Sequence, residues 1–475
     1  MELLDLTLQQ AHEGLKKKEF SSTELTKAYL AQIKNEDQKI HAYLAVTENL
    51  ALEQAEAADK IILSQKEFSV LTGIPNSIKD AILVEGEKCT AGSKILEHYV
   101  APYDATVIKK LKKQNAVILG KTNLDEFAMG ASTENSAFGV TKNPHDLARV
   151  SGGSSGGAAA SVAAKEACYA LGSDTGGSIR LPASFCGVVG LNPTYGAVSR
   201  FGLIAFASSL DQIGPMAKTV EDVKIVFDAI SGKDANDATS TDYKFEDEEV
   251  VLKGLKIGIP KEYFEKGIDP EVEKIINNAI KKAEEQGAKM VSVSLPNTKY
   301  STACYYIIAP CEASANLARF DGIKYGLSSQ SAEDLLGVYL ESRGAGFGPE
   351  PKRRILIGTH ALSAGYYDAY YKKAQEVREL IRQDFKEAFK KVDVMFSPVS
   401  PVPAFNIGEK SNDPLSMYLM DIYTGPVKLA GLPALSLPAG KVGKLPVGLQ
   451  IIGNYFEENK ILAVASLMEK VLQLG

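Results

Sequence analysis

Two short segments of the 475-residue chain set serines between glycines: Ser151-Gly152-Gly153-Ser154-Ser155-Gly156-Gly157 and Gly172-Ser173-Asp174-Thr175-Gly176-Gly177-Ser178. Without a Cβ, glycine takes unusual torsions and lets backbone come close to a ligand. Such a loop can present a hydroxyl and aim several N–H groups at one point, which is what acyl transfer requires of a nucleophile and its oxyanion hole. Each segment alone also fits a tight turn; two of them around a helix-like stretch fit a site better. A serine nucleophile needs a base. His12, His41, His98, His145 and His360 all stand outside any motif and read as surface or packed rings. Lys79 closes an apolar run and precedes Asp80, so it is either a strand-end surface charge or a buried, functional amine.

Several motif matches fail on context. Residues 153–157 fit the G-x-S-x-G nucleophile elbow, which needs a strand directly before the serine. Residues 143–149 (NPHDLAR) instead read as a polar, proline-containing turn, and His360 would be the only downstream base. Asp174-Thr175-Gly176 resembles an aspartic-protease signature but has no second copy. Gly120-Lys121-Thr122 ends like a P-loop, yet position 115 is Asn where that motif has Gly. Ser77-Ile78-Lys79 could mark a pyridoxal-phosphate lysine only if the glycine loops served as its phosphate cup.

The elements that must carry these residues follow from periodicity. Ser21-Ser22-Thr23-Glu24 has capping-box spacing, and Leu25, Tyr29 and Ile33 continue it as an apolar stripe, so residues 1–65 read as a charged helical segment packed on a larger core. Residues 71–79 and 116–120 read as strands around a helix at 106–114. The polar stretch 232–249 reads as a surface loop. Strands at 254–260, 289–295 and 392–396, with helices at 271–287 and 372–391, extend the alternation and argue for α/β architecture with a covered sheet. Composition sets limits. Apolar residues make up 45% and charged residues 24%, a soluble globular balance with enough length for a large core. With 53 basic against 59 acidic residues the net charge is −6, which argues against this chain gripping nucleic acid by itself. Five cysteines without CxxC spacing argue against a disulfide framework or a zinc site. The first residues lack a basic stretch before an apolar one, and no apolar run reaches 18 residues, so neither a signal peptide nor a membrane span is expected.

Taken together, the G-I-P-x-x-I-K-D run ending at Lys79-Asp80, the G-G-S-S-G-G loop and G-S-D-T-G-G-S-I-R, with Ser154 and Ser178 spaced by 24 residues, resemble the amidase signature family. Residues 124–135 (LDEFAMGASTEN), 136–144, 206–215 (FASSLDQIGP), 312–322 and 361–371 are similar to its A-subunit branch, that of the aspartyl/glutamyl-tRNA amidotransferases, and the likeness runs from about residue 5 to 470. The resemblance implies one amidase domain over 1–475, a central mixed β-sheet with helices on both faces. Within it, 1–65 is helical, 66–230 is the signature core with the catalytic residues, and 250–475 completes the sheet and the glutamine pocket.

It also implies a Ser-Ser-Lys triad: Ser178 as nucleophile, Ser154 as bridge after a cis peptide, and Lys79 as base. Thr175, Gly176 and Gly177, with the Ser178 N–H, would form the oxyanion hole. Arg354 would pair the α-carboxylate of glutamine, Asp421 its α-ammonium, and Tyr305 would line the pocket, with Arg353 and Tyr306 as adjacent alternatives. The reaction implied is glutamine hydrolysis through a γ-glutamyl ester, the ammonia passing to a partner that amidates Glu or Asp misacylated on tRNA. No metal or cofactor is expected in this chain; ATP and magnesium would belong to the partner, B- and C-type subunits would complete a heterotrimer, and tRNA would be met through the partner. A cytoplasmic location is expected, or an organellar matrix if the source is eukaryotic. A serine can be deprotonated by Lys79 only if the amine is neutral, so its ordinary pKa must fall by roughly three units; a buried lysine with no close carboxylate is therefore expected. The resemblance implies lysine at 192, arginine at 197, glutamine at 181 and asparagine at 428, where this chain has Asn192, Ala197, Leu181 and Lys428. Asn192 and Ala197 are expected toward a partner or the ammonia path, Lys428 at the pocket rim. The alternative is a stand-alone amidase for another small amide, which would not need Arg354 and Asp421.

Overall fold

The computed structural model describes residues 2–243, 249–265, 267–411 and 413–473. Thirteen strands occur in chain order: β1 Tyr43–Val46, β2 Pro75–Lys79, β3 Val117–Thr122, β4 Lys142–Asn143, β5 Asp146–Val150, β6 Tyr169–Asp174, β7 Val189–Asn192, β8 Gln212–Ala217, β9 Lys256–Pro260, β10 Lys289–Val293, β11 Val394–Pro398, β12 Ala434–Val442 and β13 Leu445–Ile452. Eleven form one mixed sheet in the order β1-β3-β2-β6-β8-β7-β12-β13-β11-β9-β10, and β4–β5 is a separate hairpin. Side chains alternate between faces along a strand, yet every residue of β2, β3, β6, β8, β11 and β13 is buried, so both faces are covered. Leu435 and Ile451 enter one hydrophobic core, and their neighbours Ala434 and Ile452 enter another. The protein is thus α/β, with helices flanking a central mixed sheet. Among the described residues no helix is long and apolar enough to cross a membrane.

The N-terminal segment folds as its capping signal directs. Helix Ser22–Ile40 starts at Ser21, whose hydroxyl accepts the Glu24 N–H at 3.0 Å while Glu24 accepts the Ser21 N–H at 2.8 Å. Leu25, Tyr29 and Ile33 are buried beneath it. This segment is not wholly helical: β1 lies within it and extends the sheet antiparallel to β3. Its few residues carry too little alternation to announce a strand. The remaining expected elements fall within a few residues of their places, β2 being shorter than 71–79 because residues 70–73 form turns. Residues 232–243 are irregular, and 244–248 of the expected loop lie outside the described residues.

The arrangement that positions the chemistry is local. β2 runs parallel to both β3 and β6. Its last residue, Lys79, and the loop after Asp174 at the end of β6 therefore leave the sheet at the same edge. The carboxyl ends of adjacent parallel strands are where open α/β sheets place ligands.

The four positions at which the resemblance implies other residues lie inside. Asn192, Ala197 and Leu181 are fully buried and Lys428 is 2% exposed, so none presents a side chain to a partner or a pocket rim. Two of them meet: the Lys428 amine donates to the Asn192 side-chain carbonyl at 2.8 Å. The resemblance implies the same two residue types at these positions in the reverse order, and here they make one buried lysine–asparagine hydrogen bond. Burial pulls the Lys428 amine down to about 7 against the pull of Asp174 and Asp211. Asn192→Lys alone would set two amines together in a dry site; it should destabilise the chain by about 3 kcal/mol or more. The double variant Asn192→Lys/Lys428→Asn should recover most of that loss in thermal denaturation, and additive losses would show that the two positions are not coupled.

Candidate active site

Lys79 lies at the centre of a set of hydroxyls. Its fully buried amine contacts Ser154 Oγ and Ser155 Oγ, each at 2.8 Å, and the Ser173 carbonyl at 3.3 Å. Among the described residues no carboxylate bonds it; Asp125, Asp174 and Asp211 act on it from farther away. Burial pulls the amine from its ordinary value down to about 7, opposed by those three charges. The nearest acid in sequence is diverted: Asp80 pairs with Lys121 at 2.8 Å in a buried ion pair and accepts the Thr90 hydroxyl.

Hydrogen-bond accounting shows what a neutral amine could do here. A neutral amine has two N–H groups and one lone pair. The Ser173 carbonyl can only accept. The Ser155 hydroxyl donates to that same carbonyl at 3.0 Å, so toward Lys79 it accepts. Both N–H groups are then used, and the lone pair faces Ser154. Ser155 thus orients the amine without being the nucleophile; the sequence offered it only as an elbow serine. The segment before it is not the expected polar turn but the β4–β5 hairpin, outside the main sheet, so no strand of that sheet feeds an elbow. His360 is exposed and packs on the Tyr366 ring at 4.4 Å, away from any base role.

Two loops converge on this amine. The Gly153–Ser154 peptide is cis. The Ser155 N–H donates to the Ser178 carbonyl at 3.2 Å, tying the serine loop to the nucleophile loop. Ser178 is 5% exposed, and among the described residues its hydroxyl has no hydrogen-bond partner. Nor does any acceptor among them take the N–H groups of Thr175, Gly176, Gly177 or Ser178. These are unspent donors gathered beside a free hydroxyl, the arrangement an oxyanion hole needs. Asp174 at the loop's start is gripped by Arg180 through two 3.1 Å bonds, and Thr175 donates its hydroxyl to Asp211 at 2.7 Å.

The glycines are required by what lies over them. A Cβ on Gly176 would lie 2.9 Å from Tyr305 Cζ, and one on Gly177 2.6 Å from Asp421 Oδ1. Tyr305 and Asp421 therefore form the wall facing the loop. Burial and the nearby Asp174 charge push the Asp421 carboxyl up to about 7. Tyr305 packs edge-on to Tyr306 at 5.0 Å, and Tyr306 stacks on Tyr418 at 3.7 Å. Arg354 lies among these rings, 4.9 Å from Tyr306 and 5.5 Å from Tyr418 and from Phe206. It is 3% exposed and lies inside, whereas Arg353 is 44% exposed and points outward. Glu350 accepts Arg354 Nε at 2.8 Å, and the Tyr418 hydroxyl at 3.2 Å. Arg353 also pairs with Glu350. Among the described residues nothing bonds the two terminal nitrogens of Arg354, so the fork is open to a planar anion. A cavity of about 120 Å³ lies here, lined by Gly130, Ser132, Tyr306, Glu350, Arg353, Arg354 and Tyr418 among others. Glu350, Tyr418 and Phe206 were not readable as site residues, because each acts through a partner distant in sequence. Among the described residues no group of three His, Cys, Asp or Glu side chains is arranged to hold a metal ion.

Known proteins carry the same fold and sequence. The Amidase family model matches residues 24–462. The chain is 57% identical to the A subunit of the glutamyl-tRNA(Gln) amidotransferase of Caldanaerobacter subterraneus, over 99% of this chain and 97% of that one. It superposes on the crystal structure of the glutamyl-tRNA(Gln) amidotransferase A subunit from Thermotoga maritima with a TM-score of 0.83 at 46% identity, covering 99% and 95% of the two chains. A native peptide amidase from Stenotrophomonas maltophilia gives a TM-score of 0.82 at 28% identity, with 99% and 97% covered. With the lysine–serine cluster and the glycine loop in place and the match spanning nearly its whole length, the chain belongs to the amidase family.

Proposed function

We propose that this chain is the glutamine-hydrolysing A subunit of a tRNA-dependent amidotransferase. The observation that carries the reading is the joining of two features: a lysine–serine proton relay beside free N–H donors, and a caged arginine with its fork open next to Asp421. The first suits any amide; the second suits an amide that is also an amino acid. The names of the relatives support the same reading.

The residues act as follows. Lys79 takes the Ser154 hydroxyl proton on its lone pair as Ser154 takes the proton of Ser178. Ser178 Oγ attacks the side-chain carboxamide carbon of glutamine, and the developing oxyanion is bound by the N–H groups of the 175–178 loop. The C–N bond breaks as the proton on Lys79 returns through Ser154 to the departing nitrogen, giving ammonia and a γ-glutamyl ester on Ser178. Water, deprotonated by the same relay, hydrolyses the ester to glutamate and free Ser178. Arg354 holds the α-carboxylate bidentately and Asp421 the α-ammonium, so the carboxamide reaches the glycine loop in one orientation. The ammonia then goes to a B-type subunit that uses ATP and magnesium to amidate Glu or Asp on tRNA, with a C-type subunit completing the assembly. Contacts with tRNA fall to the partner, and the location is cytoplasmic.

Ser178→Ala should cut glutamine-dependent ammonia release by the complex co-purified on this chain by about 10³-fold or more while its partners stay bound; ammonia release at the wild-type rate would remove Ser178 as nucleophile. Because Lys79 must be neutral and sits near 7, kcat should rise with pH through about 7. Asp421 must be ionised to pair with ammonium and also sits near 7, so KM for glutamine should fall across the same range. A kcat independent of pH between about 5.5 and 8.5 would exclude Lys79 as the base. Arg354→Ala should weaken glutamine turnover by about 100-fold or more, mostly in KM. Hydrolysis of a simple amide lacking the α-carboxylate should suffer far less, and equal loss on both substrates would favour the stand-alone amidase.

A further inference from the structure

The motif 124–135 lines the cavity beside Arg354 through Gly130 and Ser132, and its Asp125, which has no part in the triad, packs against the serine loop. Its carboxylate is fully buried. It accepts the N–H groups of Thr133 at 2.9 Å and Asn135 at 3.0 Å, and its own N–H donates to the Ser154 carbonyl at 3.3 Å. A Cβ on Gly153 or Gly130 would overlap it, so it packs directly on the backbone that precedes Ser154. Thr133 is held at φ 64°, a conformation costly for a β-branched residue. From there its hydroxyl donates to the Gly152 carbonyl at 2.9 Å and accepts the Gly156 N–H at 3.2 Å, clasping both ends of the serine loop. Asp125 is the anchor of that clasp.

The charge on Asp125 is unusual for its surroundings. Of the three carboxylates that act on Lys79, Asp174 is neutralised by Arg180, and Asp211 is bound by the Thr175 hydroxyl and the N–H groups of Phe206 and Ala207, with Arg200 in reach. Asp125 has no ion-pair partner among the described residues. Lys79 is the cation acting on it, and Glu134 adds only negative charge. Buried carboxylates are normally paired or protonated; burial pushes this one up to about 6, against the two N–H groups it accepts and the Lys79 charge, which leaves it ionised at neutral pH.

We propose that Asp125 is a positioning residue for amide hydrolysis, fixing the loop that presents Ser154 and supplying the uncompensated negative charge that stabilises Lys79 when it holds the relayed proton. Without that charge the amine would accept the proton less readily and the relay would stall at its first transfer. The proposal deepens the glutaminase reading and rests on it.

The test is the pH profile of glutamine-dependent ammonia release by the complex purified on the full chain. Asp125→Asn keeps an acceptor oxygen and removes the charge. Losing a negative neighbour lowers the proton affinity of Lys79, so the acid limb of kcat should move to lower pH by about half a unit or more while the plateau falls about tenfold. Thr133→Val loosens the same loop with no change of charge; it should lower kcat and leave the midpoint in place. Should Asp125→Asn fail to assemble, Asp125→Ser removes the charge and keeps a hydroxyl, and carries the same two readings. A midpoint that stays put in the charge-removing variant, or moves to higher pH, overturns the proposal. A wild-type complex that releases no ammonia from glutamine would instead overturn the function on which it rests.

Discussion

The site depends on keeping one amine neutral inside a protein whose interior holds many charges. A buried lysine normally recruits a carboxylate, and the pair then stays ionised and chemically idle. Around Lys79 the carboxylates are engaged elsewhere: Asp80 by Lys121, Asp174 by Arg180, Asp211 by Thr175 and backbone. What is left in contact is two hydroxyls and a carbonyl, which solvate the neutral amine and fix its direction. The ion pairs in this core are thus as important for the contacts they prevent as for those they make. Asp125 stands at the edge of this rule, close enough to bias the amine and too far to bond it.

Much of this was legible in the sequence because the chemistry demands short, rigid segments. Glycines flanking serines, and a lysine at the end of an apolar run, leave marks within a few residues of one another. The covered α/β sheet was legible for the same reason, since buried strands read as unbroken apolar runs. The parts that stayed hidden are those that span the chain. β1 is four residues long and belongs to the sheet only through β3. Glu350 gains its meaning from Arg354 one turn on and from Tyr418 far downstream. Ser155 looked like an alternative nucleophile to Ser178 and instead holds the Lys79 amine, a difference visible only once the Ser173 carbonyl is placed. Arg354 and Asp421 were identified by resemblance; an arginine in a Lys-Arg-Arg run carries no sign of its own that it faces inward.

The pair Asn192 and Lys428 shows the same limit from another side. Each residue alone looked like a change at a surface or a rim. Together they make one hydrogen bond buried between β7 and the helix Gly425–Ala430. Two positions 236 residues apart in sequence give no sign that they meet.

The glycine loop has a consequence for how such a protein can change. Gly176 and Gly177 have no room for a side chain because Tyr305, Asp421 and Thr424 already fill the space above them. The bond-breaking apparatus, drawn from residues 79 to 178, therefore has almost no freedom to drift. The opposing wall is drawn from residues 305 to 421 and is joined around the arginine by Gly130, Ser132 and Phe206. Room for a different amide has to be found at that far end, where a change touches early and late stretches of the chain together.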